Sequence, residues 1–238
     1  SLAALKRGDM LHVRSGAGQG GMIRRARQLG IKVVVDHSIA HPAWMEQHLR
    51  PEYERHKTPF ISGTSSPFWK LVAKDCEEAD IVLVNSDFVR TTFCNLGLDE
   101  RKIRVVHLGV RQDFNGLRDW QTTPPCAGGG PLRILFTGAF NFRKGAEYFL
   151  LALRELNRRQ YPQVQATVVG TWRESTALLK HFDDLRPILR FVDHVPQDEL
   201  KHYLAQADLY LFPSLAEGCA QSGMEAMSAG LCVVATKE

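Results

Sequence analysis

Short apolar runs alternate along the chain with segments whose apolar positions recur every three or four residues. "MLHVRS", "KVVVDHS", "DIVLVNS" and "RVVHLGV" have strand length, and between them lie "GGMIRRARQLG", "PAWMEQHLRPEYERH" with "SPFWKLVAKDCEEA", and "DFVRTTFCNLG" at helical spacing. Strands that are apolar along their whole length, divided by helices, predict a parallel sheet covered on both faces. The alternation breaks at "RQDFNGLRDWQTTPPCAGGGP", where Pro124, Pro125, Gly128, Gly129, Gly130 and Pro131 follow neither period. It then resumes with "LRILFTG", "GAEYFLLALRELNRR", "VQATVVGT", "ESTALLKHFDDL", "LRFVDHV", "DELKHYLAQA", "DLYLFPS", "QSGMEAMSAG" and "LCVVAT".

The expected organisation is therefore two Rossmann-like α/β domains, each a doubly wound parallel sheet, facing a cleft between their strand ends. The boundaries are 1–111 for the first domain, 112–131 for a linker and 132–238 for the second. About four strands are expected in the first and five in the second, small for doubly wound sheets, so both domains read as incomplete.

Composition changes this picture little. In 238 residues, 44% are apolar and 24% charged, the balance of a globular chain with real cores. The net charge of +4 is spread through helices such as "RRAR" and "RELNRR" without a run, so nucleic acid is not indicated, although a peripheral membrane contact stays open. Five cysteines, at 76, 94, 126, 219 and 232, form no C-x-x-C pair, which argues against a disulfide framework and suits a reducing, cytoplasmic compartment. No apolar run reaches the roughly 18 residues of a membrane span, and "SLAALKRGDM" has the wrong flanks for a signal peptide.

Gly16, Gly18 and Gly21 fit G-x-G-x-x-G, and Asp36 follows at the end of the next apolar run, which together resemble a dinucleotide fingerprint. A tight strand-to-helix turn requires glycine with or without a dinucleotide, so the three are read as turn formers. An NAD(P)- or FAD-binding oxidoreductase stays the alternative, but no redox partner residues accompany it.

The chemistry concentrates later, in "LYLFPSLAEGCAQSGMEAMSAGLCVVAT" and "LFTGAFNFRKGAEYFLLAL". Glu217 lies in a loop leaving a strand, and Glu225 in the first turns of the next helix, where free N–H groups and the helix dipole favour an anion. Two carboxylates beside that anion would accept hydroxyls, which suits a ligand that is both phosphate and polyol. Arg143 and Lys144, after the strand ending at Gly138, suit a pyrophosphate whose charge grows as it departs.

With both loops in one domain, the second half resembles the group 1 (family 4) glycosyltransferases of the GT-B fold, through "ILFTG…RKG", "ADLYLFPSLAEG" and "MEAMSAG…VVAT". The first half adds "ADIVLVNSDFVRTTFCNLGLDERKIRVVHLGV". The resemblance implies that Arg143 and Lys144 bind a donor diphosphate, that Glu217 contacts sugar hydroxyls near the reacting centre, and that Glu225 contacts the ribose. Gly218, Cys219 and Ala220 would bring backbone to the sugar phosphate. The family's active-site histidine would fall on His37 or His41. Ala139 stands where many members carry arginine, and "EGCA" where "EGFG" is usual, and the family's earlier glycine-rich loop has no counterpart.

The activity implied is transfer of a hexose from a nucleotide-diphosphate sugar to a hydroxyl of a sugar, lipid or small-molecule acceptor. Configuration would be retained, with no metal and no cofactor. The location implied is the cytoplasm or the cytoplasmic face of a membrane. Asp183-Asp184 makes no metal motif, Ser222 lacks a nucleophile elbow, and a zinc site on His37 and His41 is not expected. A non-catalytic sugar- or partner-binding fragment is the remaining reading.

Overall fold

A computed structural model describes residues 6–60, 63–122, 124–126, 129–159 and 163–237. They form two compact units: Ser1–Leu108 with Ala216–Cys219, and Gly109–Leu215 with Ala220–Glu238.

The first unit runs β1 (Met10–Arg14), α1 (Met22–Gln28), β2 (Lys32–His37), α2 (Pro42–Arg55), α3 (Pro67–Glu78), β3 (Ile81–Val84), α4 (Asp87–Cys94) and β4 (Ile103–Val105). All four strands are parallel in the order β1-β2-β3-β4, without a reversal. Val33, Val35, Val82 and Val84 point into a core closed by Ile23, Cys76 and Phe93. Of the run expected as a fourth strand, only three residues pair; Val106 and Leu108 beyond it are exposed. The apolar pattern of that run is strand-like throughout, but its edge position leaves the far end without a partner on one side.

The second unit continues with β5 (Leu132–Thr137), α5 (Ala146–Arg158), β6 (Val164–Val169), α6 (Thr176–Leu179), β7 (Leu189–Val192), α7 (Gln197–Gln206), β8 (Leu209–Phe212), α8 (Gln221–Ser228) and β9 (Cys232–Ala235). Its five parallel strands are ordered β7-β6-β5-β8-β9, so the winding reverses between β5 and β8. Ile134 and Phe136 of β5 enter one core with Phe149, Leu150 and Phe182, while Leu135 enters another with Phe114, Tyr210 and Ala226. This two-sided burial is why the strand reads as an unbroken apolar run.

Two expectations change in detail. The helix expected over 174–185 is one turn of α6 flanked by 3-10 turns, with a break at Phe182 that lets this residue enter the core. The stretch expected as a linker is seated on the second unit over its first part: Phe114 is fully buried, and the Gly116 and Arg118 amides donate to the Ser228 and Ala229 carbonyls at 2.9 and 2.8 Å. Gly128 of that stretch lies outside the described residues.

Candidate functional site

In open α/β sheets, ligands bind beyond the carboxyl ends of the strands, where the winding reverses. In the second unit that point lies between β5 and β8, and the loops leaving these two strands are the ones that carry Arg143, Lys144 and the 213–220 segment. They are built as one piece. The Leu215 amide donates to the Arg143 carbonyl at 2.8 Å, the Ser214 hydroxyl donates to the same oxygen at 3.3 Å, and the Lys144 amide donates to Asn141 Oδ1 at 3.1 Å. Gly145 starts α5 at φ +73°, and a Cβ there would run into the Pro213 carbonyl, so only glycine lets the loops meet. Lys144 Nζ lies 5.3 Å from the Phe212 ring centroid. Gly138 closes β5, its amide bonded to the Val169 carbonyl at 2.9 Å.

Ala220 caps α8, and Glu225 is buried on that helix at 7% exposure. Burial pushes its carboxyl pKa up, opposed by the charge of Arg111. A carboxylate short of solvent in this position favours neighbouring hydroxyl donors. Gly138, Arg143, Lys144, Ala220 and Glu225 all lie in the second unit.

The remaining donor-side candidates, Glu217, Gly218 and Cys219, group with the first unit. Within that unit the Ser86 hydroxyl donates to the Gly218 carbonyl at 2.5 Å, and a Cβ on Gly218 would meet the Ser38 carbonyl. The glycine of "AEG" is therefore required by packing at the ends of β2 and β3.

His37, the last residue of β2, is 1% exposed. Its Nδ1 lies 2.8 Å from Ser15 Oγ, its ring stands edge-on to Phe93 at 4.9 Å, and its Nε2 has no hydrogen-bond partner among the described residues. His41 is differently employed: it caps α2, its Nδ1 accepting the Ala43 amide at 3.1 Å. Both pKa values fall to about 4, in each case chiefly because burial penalises the cation; for His37, the nearby backbone at Ile39 and Ala40 resists this.

A depressed histidine pKa makes the unfolded chain bind more protons between about 6.5 and 4, so stability rises with pH across that window. Unfolding in urea at pH 5 is expected to show His37 costing about 2 kcal/mol relative to pH 8. His37→Gln should flatten that slope; an unchanged slope would mean that the His37 ring takes up its proton in the folded chain as readily as in water.

The glycines of the apparent dinucleotide fingerprint have another partner. The Gly16 and Gly18 amides donate to Asp75 Oδ2 at 2.8 and 2.9 Å, and Gln19 Nε2 donates to Oδ1 at 2.5 Å. A side chain on Gly18 would collide with Ile23. The amides that would receive a pyrophosphate are spent on an internal carboxylate, which agrees with the turn-forming reading. Asp75, Ser15 and Ser86 escaped sequence reasoning; the one available signal was an acid at 75 beside Val72 and Cys76 on the apolar stripe of α3.

Two parallel α/β units with this loop pair define the GT-B fold, and solved structures agree. The Anabaena Alr3699/HepE structure in complex with UDP and glucose matches with a TM-score of 0.69 at 18% identity, covering 96% of this chain and 59% of that one. The pneumococcal O-GlcNAc transferase GtfA, in complex with UDP and GlcNAc, matches with a TM-score of 0.64 at 16% identity, covering 98% and 42%.

Residues 131–238 match the family described as Glycosyl transferases group 1, and residues 2–114 match Glycosyltransferase Family 4. The chain belongs to the group 1 (family 4) glycosyltransferases. It is 34% identical over 153 residues to the amylovoran biosynthesis glycosyltransferase AmsK of Erwinia amylovora, covering 60% of this chain and 35% of that protein. It is 23% identical over 235 residues to the sulfoquinovosyl transferase SQD2 of Arabidopsis thaliana, covering 96% and 42%. The chain thus spans less than half the length of these two relatives. Among the described residues, no helix is long and apolar enough to cross a membrane.

Proposed function

We propose that the chain carries the donor-binding and reacting elements of a retaining glycosyltransferase that moves a hexose from a nucleotide-diphosphate sugar to a hydroxyl acceptor, without a metal or cofactor. The observation that carries this reading is the pair of loops joined at the reversal between β5 and β8, with Arg143 and Lys144 on one and the start of α8 after the other. Arg143, Lys144 and the first N–H groups of α8 stabilise the departing diphosphate, whose charge is largest in the transition state. Glu225 accepts the ribose hydroxyls. Glu217 orients the sugar, with the backbone of Gly218, Cys219 and Ala220 alongside.

The acceptor proton passes to the departing phosphate oxygen on the same face, which retains configuration at the sugar carbon. His37 or His41, both at the end of β2, faces the sugar; the His37 ring is 1% exposed, and the half-buried His41 ring caps α2 through Nδ1. The acceptor is a sugar, lipid or small-molecule hydroxyl, reached in the cytoplasm or at the cytoplasmic face of a membrane. UDP and sugars bound to the neighbouring HepE and GtfA structures support a nucleotide sugar as donor.

Thermal unfolding against UDP, GDP, ADP and NADH tests the reading. One nucleoside diphosphate at about 100 times its Kd is expected to raise Tm by roughly 5–10 °C. A response to NADH alone would replace the reading with the oxidoreductase one, and silence towards all four would favour a non-catalytic fragment.

A further inference from the structure

One face of the second unit's sheet is only partly covered by helices. Val164, Ala166 and Val168 of β6 enter the core beneath α5, so the alternate positions Gln165 and Thr167 stand on the opposite face, where Gln165 is exposed and Thr167 half-buried. On that face the register sets Arg133 of β5 beside Gln165, and Arg190 of β7 beside Thr167. With Tyr203 of α7 and Arg186 before β7, these side chains line a groove of about 400 Å3.

The groove is cationic in a way that the rest of the unit's surface is not. Arg154, Arg158, Arg159, Arg173 and Arg186 each pair with a carboxylate, and Arg133 shares Asp208 with Arg118. Arg190 pairs with none among the described residues, and no aspartate or glutamate lines the groove. Arg133 holds Asp208 through Nε and Nη2, which leaves Nη1 without a protein partner among the described residues. Arg133 and Arg190 stand two strand spacings apart, roughly 10 Å, close enough for both guanidiniums to meet one anion.

We propose that this groove binds a phosphate monoester of a small polyol. Guanidinium forks match phosphate oxygens, and Arg190 and Arg133 supply two of them from rigid strands. The Gln165 amide and the Thr167 and Tyr203 hydroxyls are uncharged hydrogen-bonding groups beside that charge, and neither hydroxyl has a protein partner among the described residues. They suit the hydroxyls of the polyol. None of the large apolar side chains exposed on this protein lines the groove, so the ligand is soluble and not a membrane surface. The groove opens at the amino-terminal half of the strands, whereas the loop with Arg143 and Lys144 leaves the carboxyl end of β5, roughly 16 Å of strand beyond Arg133. A ligand held here therefore binds without competing for those loops.

The test titrates the whole 15N-labelled chain with glycerol 3-phosphate, inorganic phosphate and glycerol. The backbone amides of Gln165, Thr167 and Arg190 are expected to shift saturably with glycerol 3-phosphate, less readily with inorganic phosphate, and not with glycerol. Arg190→Gln should weaken the glycerol 3-phosphate Kd by roughly 10- to 100-fold, the scale of hydrogen bonds to a charged group. Arg190→Lys should fall between, and Lys144→Ala should leave the Kd unchanged. Tyr203→Phe, which keeps the ring, should weaken glycerol 3-phosphate more than inorganic phosphate.

The proposal is overturned if these amides do not move, or if the response survives Arg190→Gln and disappears in Lys144→Ala, which would assign it to the donor loops. Sedimentation with vesicles of phosphatidylcholine and phosphatidic acid, without any response to glycerol 3-phosphate, would likewise replace the soluble ligand with a membrane surface.

Discussion

Lys144→Ala is expected to lower sugar transfer by about 100- to 1000-fold, the range seen when a single preorganised stabiliser of developing charge is removed. The loss should appear in kcat more than in donor KM, because the diphosphate gains charge as the bond to the sugar breaks. The loop itself should survive. Its shape is set by the Leu215–Arg143 and Lys144–Asn141 backbone bonds and by Gly145 against Pro213, none of which uses the Lys144 side-chain amine.

The side chain's contact with the Phe212 ring at 5.3 Å contributes about 0.5–1 kcal/mol, so Tm should fall by no more than about 2–4 °C. Lys144→Arg should retain part of the activity, since the charge remains but its reach and fork differ. Wild-type turnover in Lys144→Ala would remove this loop from the reaction.

What could be read in advance follows from distance along the chain. The Arg143–Lys144 loop and the Glu217–Glu225 frame are each confined to fewer than ten residues, and the strand-loop-helix pattern expected around them is the one the structure has. The strand count was legible for the same reason: apolar runs such as those ending at His37 and Thr137 declare themselves locally.

The supports were not legible, because a carboxylate's partners can lie anywhere. Asp75 holds amides 57 and 59 residues away, and Asp208 bonds Arg133 and Arg118 across 75 and 90. Spacing rules see neither. G-x-G-x-x-G was ambiguous in the same way: its glycines reported a tight turn, and only Asp75 shows which anion the turn encloses. His37 and His41 also differ only in packing, since both follow the same apolar run and only one spends its ring on a helix cap.

Asp208→Ala is expected to destabilise the second unit by about 3–5 kcal/mol, the cost of leaving a buried cation without its partner. Asp208 precedes β8 and is fully buried. Its carboxylate accepts Arg118 Nη2 at 2.5 Å, Arg133 Nη2 at 2.8 Å, and the Arg133 amide and Nε at 2.9 Å. Burial alone would raise its pKa, yet the Arg133 hydrogen bonds and the two guanidinium charges hold it below the usual carboxylate range.

The two arginines are not equivalent. Arg133 is 36% exposed and can turn to water, whereas the Arg118 side chain is 2% exposed, has an unpartnered Nε, and lies 4.9 Å from the Trp120 ring centroid. Trp120 in turn donates to the Gly230 carbonyl at 2.5 Å, so losing Asp208 loosens the strap that ties 114–120 to the end of α8. Urea unfolding should show the midpoint of Asp208→Ala falling sharply. The double change Asp208→Leu with Arg118→Met should recover most of it, because a well-packed apolar pair replaces a buried ion pair at little cost. If the double variant proves as unstable as the single one, the contribution of Asp208 comes from its bonds to Arg133 at the start of β5, and the strap does not depend on the buried pair.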